Sequence, residues 1–244
     1  MKTLSGILSL SVALAFLALC GQVSAEIIGA DDFSEPDGSA VNGKLADVGG
    51  GAWSAPGAQT IVGGILDTNP VGQHEGSFLD FTRALGPGEV LTLTFTAAES
   101  AGTMFDLDGY AGMSLYIDGS EKLFVGDPGG GQPVNGWALD GFAGGVIGYS
   151  GLLSEAVTGV FSYNYDTGAG TLEITDGVNV ASAVHNYDPG LALNRFRIQS
   201  GSSDAAALAI DSFSAFAGPA VPEPTSLGLL ASATIGCVLC SRRR

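Results

Sequence analysis

Short runs in which apolar and polar residues alternate recur along the middle of the chain. Leu91, Leu93 and Phe95 alternate with Thr92, Thr94 and Thr96. Met113, Leu115 and Ile117 alternate with Ser114 and Tyr116, and Phe161, Tyr163 and Tyr165 share a face. Leu172 and Ile174 sit between Thr171, Glu173 and Thr175, and Phe196 and Ile198 lie between Arg195 and Arg197. A period of two with one apolar face is the pattern of an antiparallel strand that has the core on one side. Turn formers such as Asp118-Gly119, Asp127-Pro128-Gly129, Asp176-Gly177 and Asp188-Pro189-Gly190 separate the runs. Between the two ends no segment carries a helical period of useful length. The stretch LAIDSFSAF reads as a last strand whose phase shifts near Asp211, which predicts a bulge. Many strands without helices predict an all-β fold of two packed antiparallel sheets, a β-sandwich or jelly roll, over residues 26–218.

The ends follow other rules. Lys2 precedes an apolar run over residues 7–19, and Val23-Ser24-Ala25 is the small-residue pattern that signal peptidase reads. Residues 1–25 are therefore read as a signal peptide cleaved after Ala25, with a retained anchor or a lipoprotein signal at Cys20 as alternatives. At the other end, Val221-Pro222-Glu223-Pro224 precedes an uncharged stretch over residues 225–241 and then Arg242, Arg243 and Arg244. At about 1.5 Å per residue that stretch spans roughly 25 Å, short but sufficient for one transmembrane helix. The prolines stop the helix upstream, and the arginines hold the tail in the cytoplasm.

This three-part end, residues 219–244, resembles the PEP-CTERM sorting signal of Gram-negative bacteria. The resemblance implies processing by an exosortase near Pro222-Glu223-Pro224. An inner-membrane intermediate then passes to the cell surface or the extracellular matrix. An uncleaved tail anchor is the alternative. Three stretches of the middle, DDFSEPDGSAVNGKLADVGGGAW, FSYNYDTGAGTLEITDG and NRFRIQSGSSDAAALAIDSFSAF, resemble bacterial concanavalin-like, laminin-G-like sandwich domains. That resemblance implies an edge strand at the start of the domain, a mid-domain hairpin with a Thr-Gly turn, and a last strand containing Ile210-Asp211. It implies a fold and no activity.

Charge narrows the partners. The formal net charge is −16, and all 25 acids lie between Glu26 and Glu223, opposed there only by Lys44, Arg83, Lys122, Arg195 and Arg197. Such a surface repels nucleic acid and anionic lipid. It is either a solubility device or a set of ligands for a divalent cation. Calcium is the candidate ion, at Asp31, Asp32 and Asp211 if the terminal strands pair; Asp106-Leu107-Asp108-Gly109 lacks the Glu that an EF-hand needs twelve positions on. Cys20, Cys237 and Cys240 all lie in the terminal segments, so no disulfide framework holds the domain.

A search for catalysis finds little. Retaining glycosidases need two carboxylates about 5 Å apart, and Glu173 with Asp176 has the wrong spacing for one strand face. Gly148-Tyr149-Ser150-Gly151 is one residue short of a nucleophile elbow, and no His or Cys cluster reads as a zinc site. Aromatic rings offer faces for sugars; Trp137 and Tyr110 are the candidate glycan contacts, whereas the resemblance to the concanavalin-like domains implies that Trp53 belongs to the core. The sequence thus predicts an exported, non-catalytic surface or matrix protein that contacts glycans or extracellular polysaccharide. A secreted polysaccharide hydrolase of the same fold is the alternative.

Overall fold

The computed structural model describes residues 24–57, 59–68, 76–129, 136–141 and 148–219. The signal peptide, the Pro-Glu-Pro motif and the span at 225–241 lie outside them. Among the described residues no helix is long and apolar enough to cross a membrane.

The described strands form two sheets. The larger runs β12 (Val180–Asn186), β11 (Ala169–Thr175), β10 (Val157–Asn164), β5 (Glu89–Ala98), β14 (Ala209–Pro219), β3 (Ile65–Asp67) and β2 (Ile61–Val62). β1 (Glu26–Asp31) also pairs with β14, beside β3. The smaller runs β4 (Gly76–Asp80), β13 (Arg195–Gly201), β6 (Tyr110–Ile117), β7 (Ser120–Asp127), β8 (Ala138–Gly141) and β9 (Gly148–Tyr149). Every ladder between these strands is antiparallel.

The alternation read from the sequence becomes burial. Leu91, Leu93 and Phe95 point into the core while Thr92, Thr94 and Thr96 are half-exposed on the other face. The bulge expected near Asp211 is present: the β14–β5 register shifts between Ile210 and Ser212, so Ile210 and Phe213 both face inward with exposed Asp211 between them. The mid-domain hairpin joins β10 to β11 around Thr167-Gly168. Asp118 and Gly119 join β6 to β7 with φ of 48° and 85°, the two positive values that a tight hairpin turn requires.

Aromatic rings join the sheets. Phe196 of β13 stacks on Phe213 of β14 at 4.4 Å, and Trp53 meets Phe213 edge-on at 5.9 Å. Trp53 is buried, as the resemblance to concanavalin-like domains implies.

Candidate functional site

In the smaller sheet Leu79, Phe196, Ile198, Met113, Leu115, Val125 and Leu139 belong to the core. The alternate positions therefore stand on the sheet's outer face. Register places Arg197 between Phe78 and Ser114, and Arg195 between Asp80 and Tyr116. An aromatic, arginine and carboxylate strip results where a solvent face of scattered charges would be expected.

Phe78 is the centre of this strip. The Arg197 guanidinium lies 4.8 Å from its ring centroid and that of Arg195 lies 5.7 Å from it, while Tyr116 meets it edge-on at 5.6 Å. Gly76 makes room for Arg197, because a Cβ there would fall 2.2 Å from its Nε. Arg197 donates to the Tyr116 hydroxyl (3.0 Å), which donates to Glu121 Oε2 (3.1 Å). Ser114 donates to Glu121 Oε1 (2.7 Å), and the Gln199 amide donates to Ser114 Oγ (2.5 Å). Burial, together with the charge of Glu121, pushes the Tyr116 phenol up. These bonds fix donors and acceptors in place without solvent's help. Ser114, Tyr116 and Gln199 are themselves buried, so they act by bracing Arg197 and Glu121, which then need not reorganise around a ligand.

Tyr110, a glycan candidate in the sequence, lies at the far end of this outer face, edge-on to Phe124 at 6.5 Å. At the near end the strip opens into a polar pocket of about 470 Å³ lined by Asp80, Arg83, Asp118, Asn194 and Arg195 among others. Asn194 braces the hairpin turn from both sides: its Nδ2 donates to Asp118 Oδ1 (2.8 Å) and its Oδ1 accepts from the Asp118 N–H (3.2 Å). Arg195 donates to Asp80, and Arg83 joins Glu26 (2.7 Å) to Glu89 (2.8 Å). Three of the five bases in the acidic stretch thus lie at the pocket, Arg83 and Arg195, or on the strip beside it, Arg197.

Trp137 is a correction. It is fully buried, stacked on Phe95 at 5.2 Å, with its indole N–H donating to the Ser154 carbonyl (2.9 Å). Both ring faces serve the core, so neither is offered to a sugar.

The calcium expectation is corrected as well. The terminal strands do pair, but Asp31 stands opposite Phe213, and Asp211 is the exposed bulge residue of β14, outside the acidic group that forms around Asp31. Asp47 joins Asp31 and Asp32 instead, with carboxylate oxygens within 4.8 Å of one another. A cation is already in place. The buried Lys44 ammonium donates to both oxygens of Asp31 (2.8 and 2.7 Å) and pairs with Glu35 (2.7 Å). Trp53 Nε1 (2.7 Å) and the Phe33 N–H (2.9 Å) complete the shell of Asp31. With its lone pairs so engaged, Asp31 does not fit a calcium ion. Asp106 likewise serves its own turn, accepting from the Asp108 and Gly109 N–H groups (2.9 and 3.0 Å). Sequence reasoning missed Phe78, Arg197 and Glu121. The signal was there in one place only: arginines at alternate positions of an otherwise apolar strand, RFRIQ.

The fold is a legume-lectin-like sandwich. It is similar to the Bauhinia forficata lectin in complex with GalNAc (TM-score 0.54, 10% identity, 80% of this chain and 99% of that one). It is also similar to the lectin UEA-II complexed with galactose (0.51, 11%, 80% and 99%) and to the Lotus tetragonolobus seed lectin (0.50, 10%, 82% and 100%). At these identities the likeness shows the fold alone. No curated protein matches the sequence. Residues 220–244 match the PEP-CTERM protein-sorting motif, so the chain carries an export-sorting signal behind its lectin-like domain.

Proposed function

We propose that this chain is an exported, non-catalytic cell-surface or matrix protein whose sandwich domain holds glycan on the outer face of the smaller sheet. Signal peptidase removes residues 1–25, the 225–241 helix holds an inner-membrane intermediate, and an exosortase processes it near Val221-Pro222-Glu223-Pro224. Arg242, Arg243 and Arg244 stay on the cytoplasmic side until then, and the product reaches the surface or matrix of a Gram-negative cell. The observation that carries the binding reading is Phe78 held between two arginines and Tyr116, with Glu121 and Asp80 as acceptors beside them. The ring orients the two guanidiniums, and donors and acceptors fixed in this way suit the hydroxyls of a sugar. Two of the similar lectins carry sugars in their own structures, which supports this ligand class. No ion is assigned to Asp31, Asp32 and Asp211, and no nucleic acid partner is assigned.

The test is a glycan array with the exported protein, followed by titration of the best soluble oligosaccharide. Phe78→Ala or Arg197→Ala should weaken binding at least tenfold, about 1.4 kcal/mol. A parallel reducing-sugar assay should show no turnover; turnover would establish the hydrolase reading in its place. Unchanged affinity in both variants would remove the strip from the account.

A further inference from the structure

The outer face of the larger sheet carries a second, different surface. Register aligns Ser212, Thr96, Thr158 and Thr175 across β14, β5, β10 and β11. The next row is Ser214, Thr94, Val160 and Glu173, and the third is Phe216, Thr92, Ser162 and Thr171. Nine of these twelve positions are hydroxyls and one is charged. β12 extends the rows with exposed Val180, Ser182 and Val184. All of these side chains are exposed or half-exposed.

Threonine's preference for strands explains the occurrence of some of them. It does not explain an almost charge-free face on a chain of net charge −16. Solubility is served by charge, and here charge has been kept elsewhere. The hydroxyls repeat about 4.8 Å apart across strands and roughly 6.8 Å apart along them, as sheet geometry dictates. Each hydroxyl both donates and accepts, so the array pairs with another array of hydroxyls in more than one register. Threonine and valine methyls fill the spaces between with apolar contact.

We infer that this face docks an extended, uncharged polysaccharide. Charge argues for the neutral polymer. An anionic chain is repelled by the acidic domain, and a cationic one finds stronger sites on the acidic remainder. Charge also argues against a second copy, because two chains of net charge −16 repel. The inference adds a surface to the glycan reading and does not rest on the Phe78 strip. With both faces in use, one molecule bridges two glycans.

The test is co-sedimentation of the exported protein with insoluble neutral β-glucan, with alginate gel as the anionic control. The variant Thr94→Glu/Thr158→Glu/Thr171→Glu should lose at least tenfold in retention on the glucan. A milder variant, Thr94→Val/Thr96→Val, keeps shape and strand preference while removing two hydroxyls; it should lose severalfold and guards against misfolding of the first. The triple variant should keep the parent's affinity for the soluble oligosaccharide that the Phe78 strip binds, which separates failure of this inference from failure of the strip. Absence of retention in the parent, equal retention of all variants, or preference for alginate overturns the inference. So does dimerisation in solution that the triple variant abolishes, which assigns the face to a second copy.

Discussion

Replacing Lys44 by Met removes a buried cation and keeps most of the length of the side chain. The Lys44 side chain is 6% exposed and that of Asp31 0%. Without the ammonium, the Asp31 carboxylate is a buried charge that retains only Trp53 Nε1 and the Phe33 N–H as donors. Stranding one partner of a buried pair costs about 3–5 kcal/mol, and the two remaining donors place this case near 3. At roughly 2–4 °C per kcal/mol for a domain of this size, the thermal midpoint should fall by about 6–12 °C. Two further measurements identify the cause. Lys44→Met/Asp31→Asn should recover much of the loss, because no charge is then stranded. Millimolar calcium should also recover part of it, because Asp31, Asp32 and Asp47 then form an acidic group with no internal cation. The parent should melt at the same temperature with calcium or with chelator. An unchanged midpoint in Lys44→Met refutes the argument about the buried pair. A chelator-sensitive parent shows that the group binds metal despite Lys44.

The same pair predicts an alkaline limit. Burial alone would lower the Lys44 pKa, but its hydrogen bonds to Asp31 and Glu35 outweigh that and raise it. Its stabilisation is therefore complete below the unfolded value of 10.5 and is lost as pH rises through the higher folded value; unfolding midpoints across this alkaline range should show a loss that Lys44→Met lacks. Asp127 has the same sign at lower pH, from a different cause. Burial pushes its carboxyl up to about 6 from 3.8, so its ionisation removes stability as pH rises from about 4 to 6. Asp127→Asn should raise the midpoint at pH 7 by several degrees and flatten that part of the pH profile. The domain should fold without its ends, and residues 26–218 should unfold cooperatively with a β-type circular dichroism spectrum; a disordered spectrum would sink this.

Strand positions were legible because burial on one face writes a period of two, as in LTLTFT, where every second residue enters the core. The bulge was legible for a related reason. Ile210 and Phe213 are three apart, and only an extra residue lets both face inward. Partners across strands were not legible. Nothing local in Phe78 says that it will stand opposite Arg197, because that register joins positions more than a hundred residues apart. Trp137 misled because a tryptophan beside a glycine-rich loop has the same local sequence whether the loop covers it or exposes it. The calcium assignment failed for a third reason. Asp31 and Lys44 are thirteen residues apart in a stretch without strand periodicity, and only the fold shows that the cation these acids need is already covalently part of the chain.

The fold also sets Glu26 and Pro219, the described residues next to the two proposed processing sites, at one end of neighbouring strands, and this leads to the last prediction. β1 pairs with β14 so that Glu26 stands beside Ala217, and the β14–β5 ladder ends with Pro219 beside Glu89. Arg83 ties Glu26 to Glu89 and also lines the polar pocket. The chain therefore enters and leaves the domain at the pocket's end of the sandwich. From Pro219 to the start of the proposed 225–241 span there are about six residues, which reach at most roughly 20 Å when extended. A domain still tethered by that span would hold its pocket within this distance of the bilayer, where a bulky polymer meets steric obstruction and a short oligosaccharide does not. Replacing Pro222, Glu223 and Pro224 by Ala should trap a heavier, membrane-bound form whose C-terminal peptide still contains Arg244. That form should bind a soluble oligosaccharide as the processed protein does and bind high-molecular-mass polysaccharide at least severalfold less. Equal binding of the large polymer by both forms would show that the tether leaves the pocket accessible. A native surface form that itself retains Arg244 would replace processing with a permanent anchor.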